Sequence, residues 1–448
     1  MAVNKKLVLS CIILSLLLCL SQIMGSTMLI LACLGAYLLL LAWGCMNNQA
    51  FLILLYFLPW SPLMRISPSS YSFYTFGLVL ACSVNIILNN IKLKKYAVIA
   101  GILITLTTLI SKSLDNSDLT FYYIIFLMMI VLFPAIQEEN RTGEYAFYQV
   151  VVFLSLGVIV ASLCALNYAE YANIRKYIRV DEYQTIIRRS GFYGDANFYV
   201  AQILAALGGA LPLVLQEKKY PRVIFLMVII FCLLYCGFLS GSKSFALISI
   251  MILLMWMVAL LKKRGQRGLK LIVLSCFVGV AAYIATSALF SGLIEVILTR
   301  FSRSRDFNSF TTGRARLWGI YIEKIFGSFK VLLLGTGYTN VMIDGRASHS
   351  TVIQFFYQFG LLGAPVMIYW IISFFRSNLQ ENNKQKFFSL NQLTVFVGAF
   401  IPWLALDMLF FDEFFLIQWY MLASLKQYAG QSKDDCCDQK RITVKFRW

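Results

Sequence analysis

The sequence predicts an all-α fold, a polytopic helical membrane bundle, from its composition and from the recurrence of long apolar runs. Of its 448 residues, 60% are hydrophobic and only 13% are charged, and so few charges could not cover the surface of a water-soluble domain. Apolar runs recur along the chain, and each is long enough to cross a hydrocarbon layer of about 30 Å. We therefore expect one integral membrane domain over residues 1–448.

These apolar runs predict about fourteen membrane spans. The first run follows Lys5 and Lys6, as in a signal peptide, but it has no small-residue cleavage site and leads directly into another apolar run, so it is counted as a span. The predicted spans are residues 7–24, 27–45, 49–64, 72–89, 96–111, 119–136, 146–168, 198–215, 223–239, 245–261, 271–290, 350–374, 391–407 and 412–427.

The distribution of lysine and arginine predicts how the chain is oriented. With the N-terminus in the cytoplasm, the inner turns and the tail 428–448 hold more than half of the 39 basic residues, as the positive-inside rule requires. Two long hydrophilic segments, 169–197 and 291–349, are then extracytoplasmic, and long loops translocate largely regardless of charge. Both termini are predicted to be cytoplasmic.

The net charge of +18 is explained mainly by this orientation and by attraction to anionic lipid headgroups, so no nucleic-acid partner is expected. The second long segment is different, because its arginines and lysines exceed what orientation requires. Its cations are Arg300, Arg303, Arg305, Arg314, Arg316, Lys324, Lys330 and Arg346, against Glu295, Asp306, Glu323 and Asp344. Guanidinium groups match phosphate oxygens well, so this segment suggests a phosphate-bearing substrate.

The cysteines predict neither a disulfide framework nor a metal site. None of the eleven lies in either long outer segment, although that side of the membrane is the oxidising one. The adjacent Cys436 and Cys437 in the inner tail have no histidine nearby and a spacing unsuited to zinc.

Four motifs carry the candidate chemistry, and the first ends the first long segment. Gly191 predicts a turn there, and Asp195 or Asn197 is expected to cap the following helix by accepting its first free N–H groups. The paired Arg188 and Arg189 exceed what a cap needs. They are candidates for binding an anionic ligand.

The second motif is the turn Ser240-Gly241-Ser242-Lys243-Ser244. Lys243 is either a cation that snorkels toward lipid headgroups or a retained ligand-binding cation, since it stands in a short outer turn where the orientation rule disfavours it.

The third motif predicts an amphipathic helix over residues 314–326, capped by a threonine, with Arg314, Trp318 and Tyr321 on one face and Arg316 on another. Arg314 either anchors this helix among headgroups or binds phosphate close to the bilayer.

The fourth motif contains the only histidine of the chain, His349, followed by Ser350 at the start of an apolar helix. One interpretation is that His349 or Ser350 caps this helix and has no further role. However, a helix N-terminus disfavours a protonated imidazole, which would keep His349 able to accept a proton. Gly360 and Gly363 in the same motif are expected to allow close helix packing.

In this order, the motifs resemble those of the bacterial O-antigen ligase and polymerase superfamily. The spacing from His349-Ser350 to Gly360 and Gly363 matches the family's His-Asn/Ser/Gln, nine residues, Gly-x-x-Gly signature. The other similar elements are Gly313-Arg314 with Trp318, Gly335-Thr336-Gly337, and Gly194-Asp195-Ala196-Asn197, which has alanine where the family has proline. Lys243 replaces an arginine that is frequent in the family. The similarity covers residues from about 185 to 370.

The resemblance implies a membrane glycosyltransferase of the bacterial cytoplasmic membrane that uses an undecaprenyl-pyrophosphate-linked glycan, an acceptor glycan and no metal or other cofactor. We expect a polymerase of repeat units, with a chain-length regulator as a candidate partner. The alternatives are a ligase, which moves finished glycan to lipid A core or another envelope acceptor, and a lipid-linked oligosaccharide flippase. A flippase should place its charges near the middle of the membrane.

The expected mechanism gives His349 the role of general base toward the acceptor hydroxyl. The pyrophosphate is assigned to Arg314, assisted by Lys243 and Arg189. Arg188 and Arg316 complete the candidate basic set. Asp412 and Glu413, in the last predicted outer turn, are either supporting site residues or solvated turn residues.

Overall fold

The structure, a computed structural model, describes residues 4–68, 70–139, 147–178, 180–183, 186–193, 195–217, 219–262, 288–302, 304, 306–311, 313–338, 343, 347–379, 389–404, 406 and 417. Within these ranges, only the backbone is described at a few positions, including residues 180–183 and 186–188.

The described residues form seventeen α-helices, one 3₁₀ turn at Leu58–Trp60 and one short hairpin. The first eleven helices are α1 Lys5–Met24, α2 Thr27–Met46, α3 Ala50–Phe57, α4 Phe73–Leu88, α5 Lys95–Leu114, α6 Phe121–Glu139, α7 Phe147–Asn167, α8 Ala172–Arg175, α9 Ala196–Gln216, α10 Tyr220–Leu239 and α11 Lys243–Lys262. The others are α12 Ala288–Ser302, α13 Phe307–Phe310, α14 Arg314–Phe326, α15 Phe329–Leu334, α16 Thr351–Leu379 and α17 Leu390–Leu404. The predicted helical class is confirmed.

The prediction of an all-α fold missed one antiparallel hairpin in the first long segment. Strand β1, Val180–Tyr183, pairs with β2, Ile186–Arg189, in a register that sets Val180 opposite Arg189. Alternating side chains over only four residues are too short a pattern to distinguish from a loop.

Eight of the described helices are long and apolar enough to cross a membrane: α1, α2, α5, α7, α9, α10, α11 and the Thr351–Phe374 part of α16. Four shorter apolar helices accompany them, at Ala50–Trp60, Phe73–Leu88, Phe121–Ala135 and Leu390–Leu404. Eleven of the fourteen predicted spans thus coincide with α-helices, and a twelfth, 49–64, is helical only over Ala50–Trp60. Most of 271–290 and of 412–427 lies outside the described residues. The fold is that of a multi-pass membrane protein.

The predicted span 49–64 is not one long helix. It consists of α3, which has eight residues, and the 3₁₀ turn that follows it. Eight residues extend only about 12 Å, so α3 alone cannot cross about 30 Å of hydrocarbon. All its side chains are buried, and Tyr56 lies so close to α7 that a Cβ at Gly157 would be 2.2 Å from the Tyr56 carbonyl oxygen.

Helix α9 lies at the centre of the bundle. Every residue of its most apolar stretch is buried, and it packs against α7, α10, α11 and α17. Glycines bring α17 close to it, because a Cβ at Gly398 would be 2.4 Å from the Leu204 carbonyl oxygen. Trp256 of α11 donates from Nε1 to the Leu211 carbonyl at 2.8 Å. The core that positions the other elements is therefore centred on α9.

Candidate active site

The four motifs, which are far apart in sequence, meet at one end of the bundle. Helices α9, α11 and α16 all begin there. Side-chain hydrogen bonds connect them: Ser242 to Asn197, Lys243 to Ser304, which follows α12 and precedes the third motif, and Trp318 to Ser348. Described parts of both long hydrophilic segments therefore lie at the same end of the bundle.

In the first motif, Asp195 caps α9, as predicted. Its Oδ1 accepts from the Asn197 backbone N–H at 2.7 Å and from the Asn197 Nδ2 at 2.9 Å. The bond to Nδ2 orients the Asn197 amide so that its Oδ1 accepts from the Ser242 hydroxyl at 3.3 Å. The cap of one helix is thereby connected to the turn before α11.

The two arginines of this motif lie at the end of strand β2. Arg189 is its last residue, and its side chain is half-buried. Arg188 lies opposite Asp181 in the hairpin register, and its side chain is outside the described residues. A tight turn at Gly191, whose φ is 59°, then leads to α9, and a Cβ there would lie 2.8 Å from the Tyr199 ring.

In the second motif, protein atoms of the second long segment surround the Lys243 ammonium. It donates to the Ser304 hydroxyl and to the carbonyls of Ser309 and Phe310, the latter two at 3.3 and 3.4 Å. The rings of Phe301 and Phe310 lie 5.7 and 5.6 Å from it, within the range of a cation–π interaction. Lys243 therefore holds this segment against the turn.

Arg300 makes a second connection between the same two segments. Its guanidinium donates to the carbonyl of Gly241, which has a φ of 55°. Sequence reasoning counted Arg300 among the loop cations but gave it no role. No local pattern could have assigned one, because Gly241 is 59 residues away.

The chain between Lys243's partners and Arg314 is ordered by short-range hydrogen bonds. Asp306 and Ser309 form a capping box on α13, and the bonds from the Ser309 hydroxyl and backbone N–H lower the pKa of the exposed Asp306 carboxyl. Asn308 accepts from the N–H of Gly313 with its carbonyl, at 2.8 Å, and from the N–H of Arg316 with its Oδ1, at 3.0 Å. This arrangement fixes where α14 begins.

Helix α14 has the predicted bounds, Arg314–Phe326, but not the predicted cap. Gly313 occupies the cap position with a φ of 84°, a backbone conformation that favours glycine. The hydroxyl of Thr311 still accepts from the Ala315 N–H at 3.2 Å. Arg314 is half-buried and Arg316 is exposed, in agreement with their predicted placement on different faces.

The face of α14 that carries Trp318 and Tyr321 packs toward α16. Trp318 donates from Nε1 to the Ser348 carbonyl at 2.9 Å. Tyr321 is fully buried, with its ring centre 4.9 Å from that of Tyr357. Tyr321 thus stabilises the packing of α14 on α16. Arg314 lies four positions before Trp318, about 6 Å along the helix axis, and Trp318 contacts the residue that precedes His349.

His349 occupies a strained turn directly before α16. Its φ is 51°, in the left-handed region that few non-glycine residues adopt, and its side chain is half-buried. Such strain is concentrated at functional sites, where the surrounding structure holds it.

The residues on either side of His349 stabilise this turn. The buried Ser348 donates from its hydroxyl to the Ser350 carbonyl at 3.0 Å and accepts from the Ser350 N–H at 3.3 Å. The Thr351 hydroxyl bonds to the carbonyls of Trp403 and Leu406, at 3.2 and 2.8 Å. Ser348 was not predicted, and nothing in its local sequence distinguishes it.

The glycines of the fourth motif are structural, as predicted, and Gly360 interrupts α16. Its φ of 59° and ψ of −167° are not helical, and a Cβ there would lie 2.4 Å from Leu333 backbone atoms. Gly335 is packed equally closely, because a Cβ there would lie 2.2 Å from the Gln358 carbonyl oxygen. The Thr336 N–H bonds to the Tyr357 carbonyl at 2.9 Å. These contacts set α15, and with it α14, against the half of α16 that begins beside His349.

Asp412 and Glu413 lie outside the described residues, as do Cys436 and Cys437. In the described part of the chain, no group of three or more His, Cys, Asp or Glu side chains is arranged to hold a metal ion. No protein-family model matches this chain, and no curated protein matches it.

Proposed function

We propose that this protein is a membrane glycosyltransferase that joins polyprenyl-pyrophosphate-linked oligosaccharide units at one face of the bundle. The observation that carries the proposal is that hydrogen bonds connect the four motifs, the second to the third through the segment that contains Ser304 and Asn308. Asn197 bonds to Ser242, Lys243 to Ser304, and Trp318 to Ser348. Arg314, the proposed anion-binding residue, and His349, the proposed base, are each within about one helical turn of the residues joined by the Trp318–Ser348 bond.

His349 is the proposed general base. It accepts the proton of the acceptor hydroxyl while the hydroxyl oxygen forms a bond to the anomeric carbon. The bond from that carbon to the pyrophosphate oxygen breaks, and its electron pair leaves with the polyprenyl pyrophosphate. The displacement inverts the anomeric centre, and His349 then returns its proton to solvent.

Arg314 is the proposed electrostatic partner of the leaving pyrophosphate, because a guanidinium fork can stabilise negative charge growing on its oxygens. Arg189 is a second candidate for binding the pyrophosphate. It is the last residue of strand β2 and shortly precedes α9. Lys243 already donates to three protein oxygens, so we assign it to holding the segment before Arg314 rather than to the pyrophosphate.

The placement of buried charge argues against the flippase alternative. Among the described residues, only Lys112 and Lys243 are charged and buried, and both lie in the terminal turn of a helix. A transport pathway for a charged lipid would be expected to carry ionisable groups near mid-membrane.

Deletion of the gene tests polymerase against ligase. A polymerase defect should leave single lipid-linked repeat units, with loss of the long polymer ladder, in gel profiles and in mass spectra of extracted lipid-linked glycans. Full-length chains remaining on the polyprenyl carrier would instead establish the ligase. An unchanged glycan profile would reject both forms of the proposal.

A further inference from the structure

Helix α14 has a second apolar face, which adjoins the face that packs on α16 and is exposed. Gly319, Ile322 and Phe326 follow each other at positions i, i+3 and i+7, so they lie on one side of the helix. Ile322 is 44% exposed and Phe326 is 71% exposed, and nothing lies within 4 Å of a Cβ at Gly319. Phe329, the first residue of α15, is 76% exposed. We call residues 322–330 the α14–α15 elbow.

An ion pair places the elbow beside the end of a membrane-spanning helix. Lys330 bonds to the carboxylate of Asp115, the residue that follows the end of α5 at Leu114. Helix α5 is one of the eight spanning candidates. Its Ile110 is 48% exposed and its Leu114 is 64% exposed, as expected of a lipid-facing surface. Phe329 therefore lies close to where this surface ends.

A cluster of aromatic side chains marks the same end of the bundle independently. The ring of Tyr71 lies 5.1 Å from each of the rings of Phe121 and Tyr122. Phe121 and Tyr122 begin α6, directly after the turn that follows α5. Exposed aromatic residues, tyrosine above all, are enriched where spans leave the hydrocarbon layer. The ion pair and the aromatic cluster thus assign the elbow to the membrane–water boundary.

We propose that the α14–α15 elbow is an interfacial membrane anchor, with Ile322, Phe326 and Phe329 inserted among the lipid headgroups and upper acyl chains. The exposed Lys324 can reach lipid headgroups beside this patch, while Lys330 is held by its ion pair with Asp115. The occupant is lipid because the apolar patch lies beside the lipid-facing surface of α5. This inference does not depend on the proposed glycosyl transfer.

The sequence left open whether Arg314 anchors α14 among headgroups or binds phosphate. The face that carries Trp318 and Tyr321 packs on α16. The lipid-facing side is instead the one with Ile322 and Phe326. Insertion of this side would hold α14 at the bilayer surface while Trp318 remains bonded to Ser348, the neighbour of His349.

Photo-crosslinking tests the anchor in the full chain. The photoreactive residue p-benzoylphenylalanine replaces Phe326 or Phe329, and Arg316, exposed on the polar face of α14, serves as the matched control. The purified variants are reconstituted in nanodiscs of phosphatidylethanolamine and phosphatidylglycerol, irradiated, and analysed by mass spectrometry of the intact protein and of its proteolytic peptides. We expect phospholipid adducts at positions 326 and 329 in yields about tenfold above those at 316.

Three results would overturn the proposal: equal lipid adducts at 316 and 326, a product of twice the protein mass, or crosslinks to another segment of the same chain. The second would identify a copy of this chain as the occupant, and the third would show that the patch is covered internally. If either aromatic position prevents assembly, Ile322 on the same face gives the same test. Because the experiment measures lipid contact, its outcome does not depend on enzymatic activity.

Discussion

Helices α9 and α14 are held in place by different physical means. The apolar stretch of α9 is buried throughout, so its position is set by many small packing contacts on all sides. In α14, only Tyr321 and Ile325 are buried. The position of α14 depends on them and on a few polar bonds, such as those of Trp318 and, through the preceding segment, Lys243.

This difference predicts where single substitutions act. A change around α9 should affect folding and membrane insertion, because tight packing transmits strain. A change around α14 should affect the site while the bundle remains intact. The following predictions test that separation, from the largest expected effect to the smallest.

Replacing His349 with alanine should abolish glycosyl transfer, because the chain has no other histidine. Loss of a general base typically costs about 10²- to 10⁴-fold in rate. The transfer rate of lipid-linked glycan is measured for the purified variant and for the wild-type protein. The amount of each protein in the membrane is measured in parallel. A variant that accumulates normally and retains full activity would eliminate His349 as the base.

Arg314→Lys should reduce activity roughly ten- to hundredfold, because a point charge replaces a two-pronged donor to the pyrophosphate. Arg316→Lys is the matched control two residues away. Arg316 is exposed whereas Arg314 is half-buried, so the control should retain nearly wild-type activity. The assay is donor-dependent transfer rate at several donor concentrations, and equal losses in both variants would mean that the wrong face of α14 was assigned to the substrate.

Two glycine substitutions compare the surroundings of the two helices, because Gly398 of α17 packs against α9 and Gly319 lies in α14. Gly398→Ala should destabilise the bundle by about 1–3 kcal/mol because of overpacking, since the new Cβ would lie 2.4 Å from the Leu204 carbonyl oxygen. Gly319→Ala in α14 meets no atom within 4 Å and should stabilise that helix by up to about 1 kcal/mol. Thermal unfolding in detergent measures both, and the same sign in both variants would remove the proposed contrast.

Lys243→Met should loosen the segment before Arg314, because three hydrogen bonds and two ring contacts to the ammonium are lost. We expect trypsin cleavage between Arg300 and Arg314 to rise about tenfold, given the usual strength of hydrogen bonds to charged groups. Lys262→Met, at the exposed opposite end of α11, should leave cleavage unchanged. Unchanged cleavage in the Lys243 variant, with activity lost, would instead favour Lys243 as a direct ligand of the pyrophosphate.

Local patterns predicted the elements that short-range interactions control. The bounds of α14 and the Asp195 cap of α9 were correct because each depends on residues within about one helical turn. The long apolar runs located the eight described helices that are long and apolar enough to cross a membrane, since length and hydropathy largely define a spanning helix. The eight-residue α3 was misjudged as a full span because an apolar run does not distinguish lipid-facing from fully buried helix.

The tertiary structure decided which of these elements touch. The contact of Lys243 with Ser304 spans 61 positions, and that of Ser111 with the Gly335 carbonyl spans 224. Such contacts depend on how helices pack, and a single sequence carries no local signal for them. The inward direction of Trp318 and the break of α16 at Gly360 are of the same kind.

The sequence by itself determined that this protein is a multi-pass helical bundle. It also showed that the basic motifs and the single histidine lie close to the N-termini of helices. Hydropathy and capping act over a few residues, so both could be derived before the fold was known. Only the tertiary structure decided that the motifs meet at one end, that Lys243 holds a loop, and that the second apolar face of α14 is left exposed. Those facts follow from side-chain packing between distant segments, where close contacts at glycines such as Gly335 and Gly398 select one arrangement.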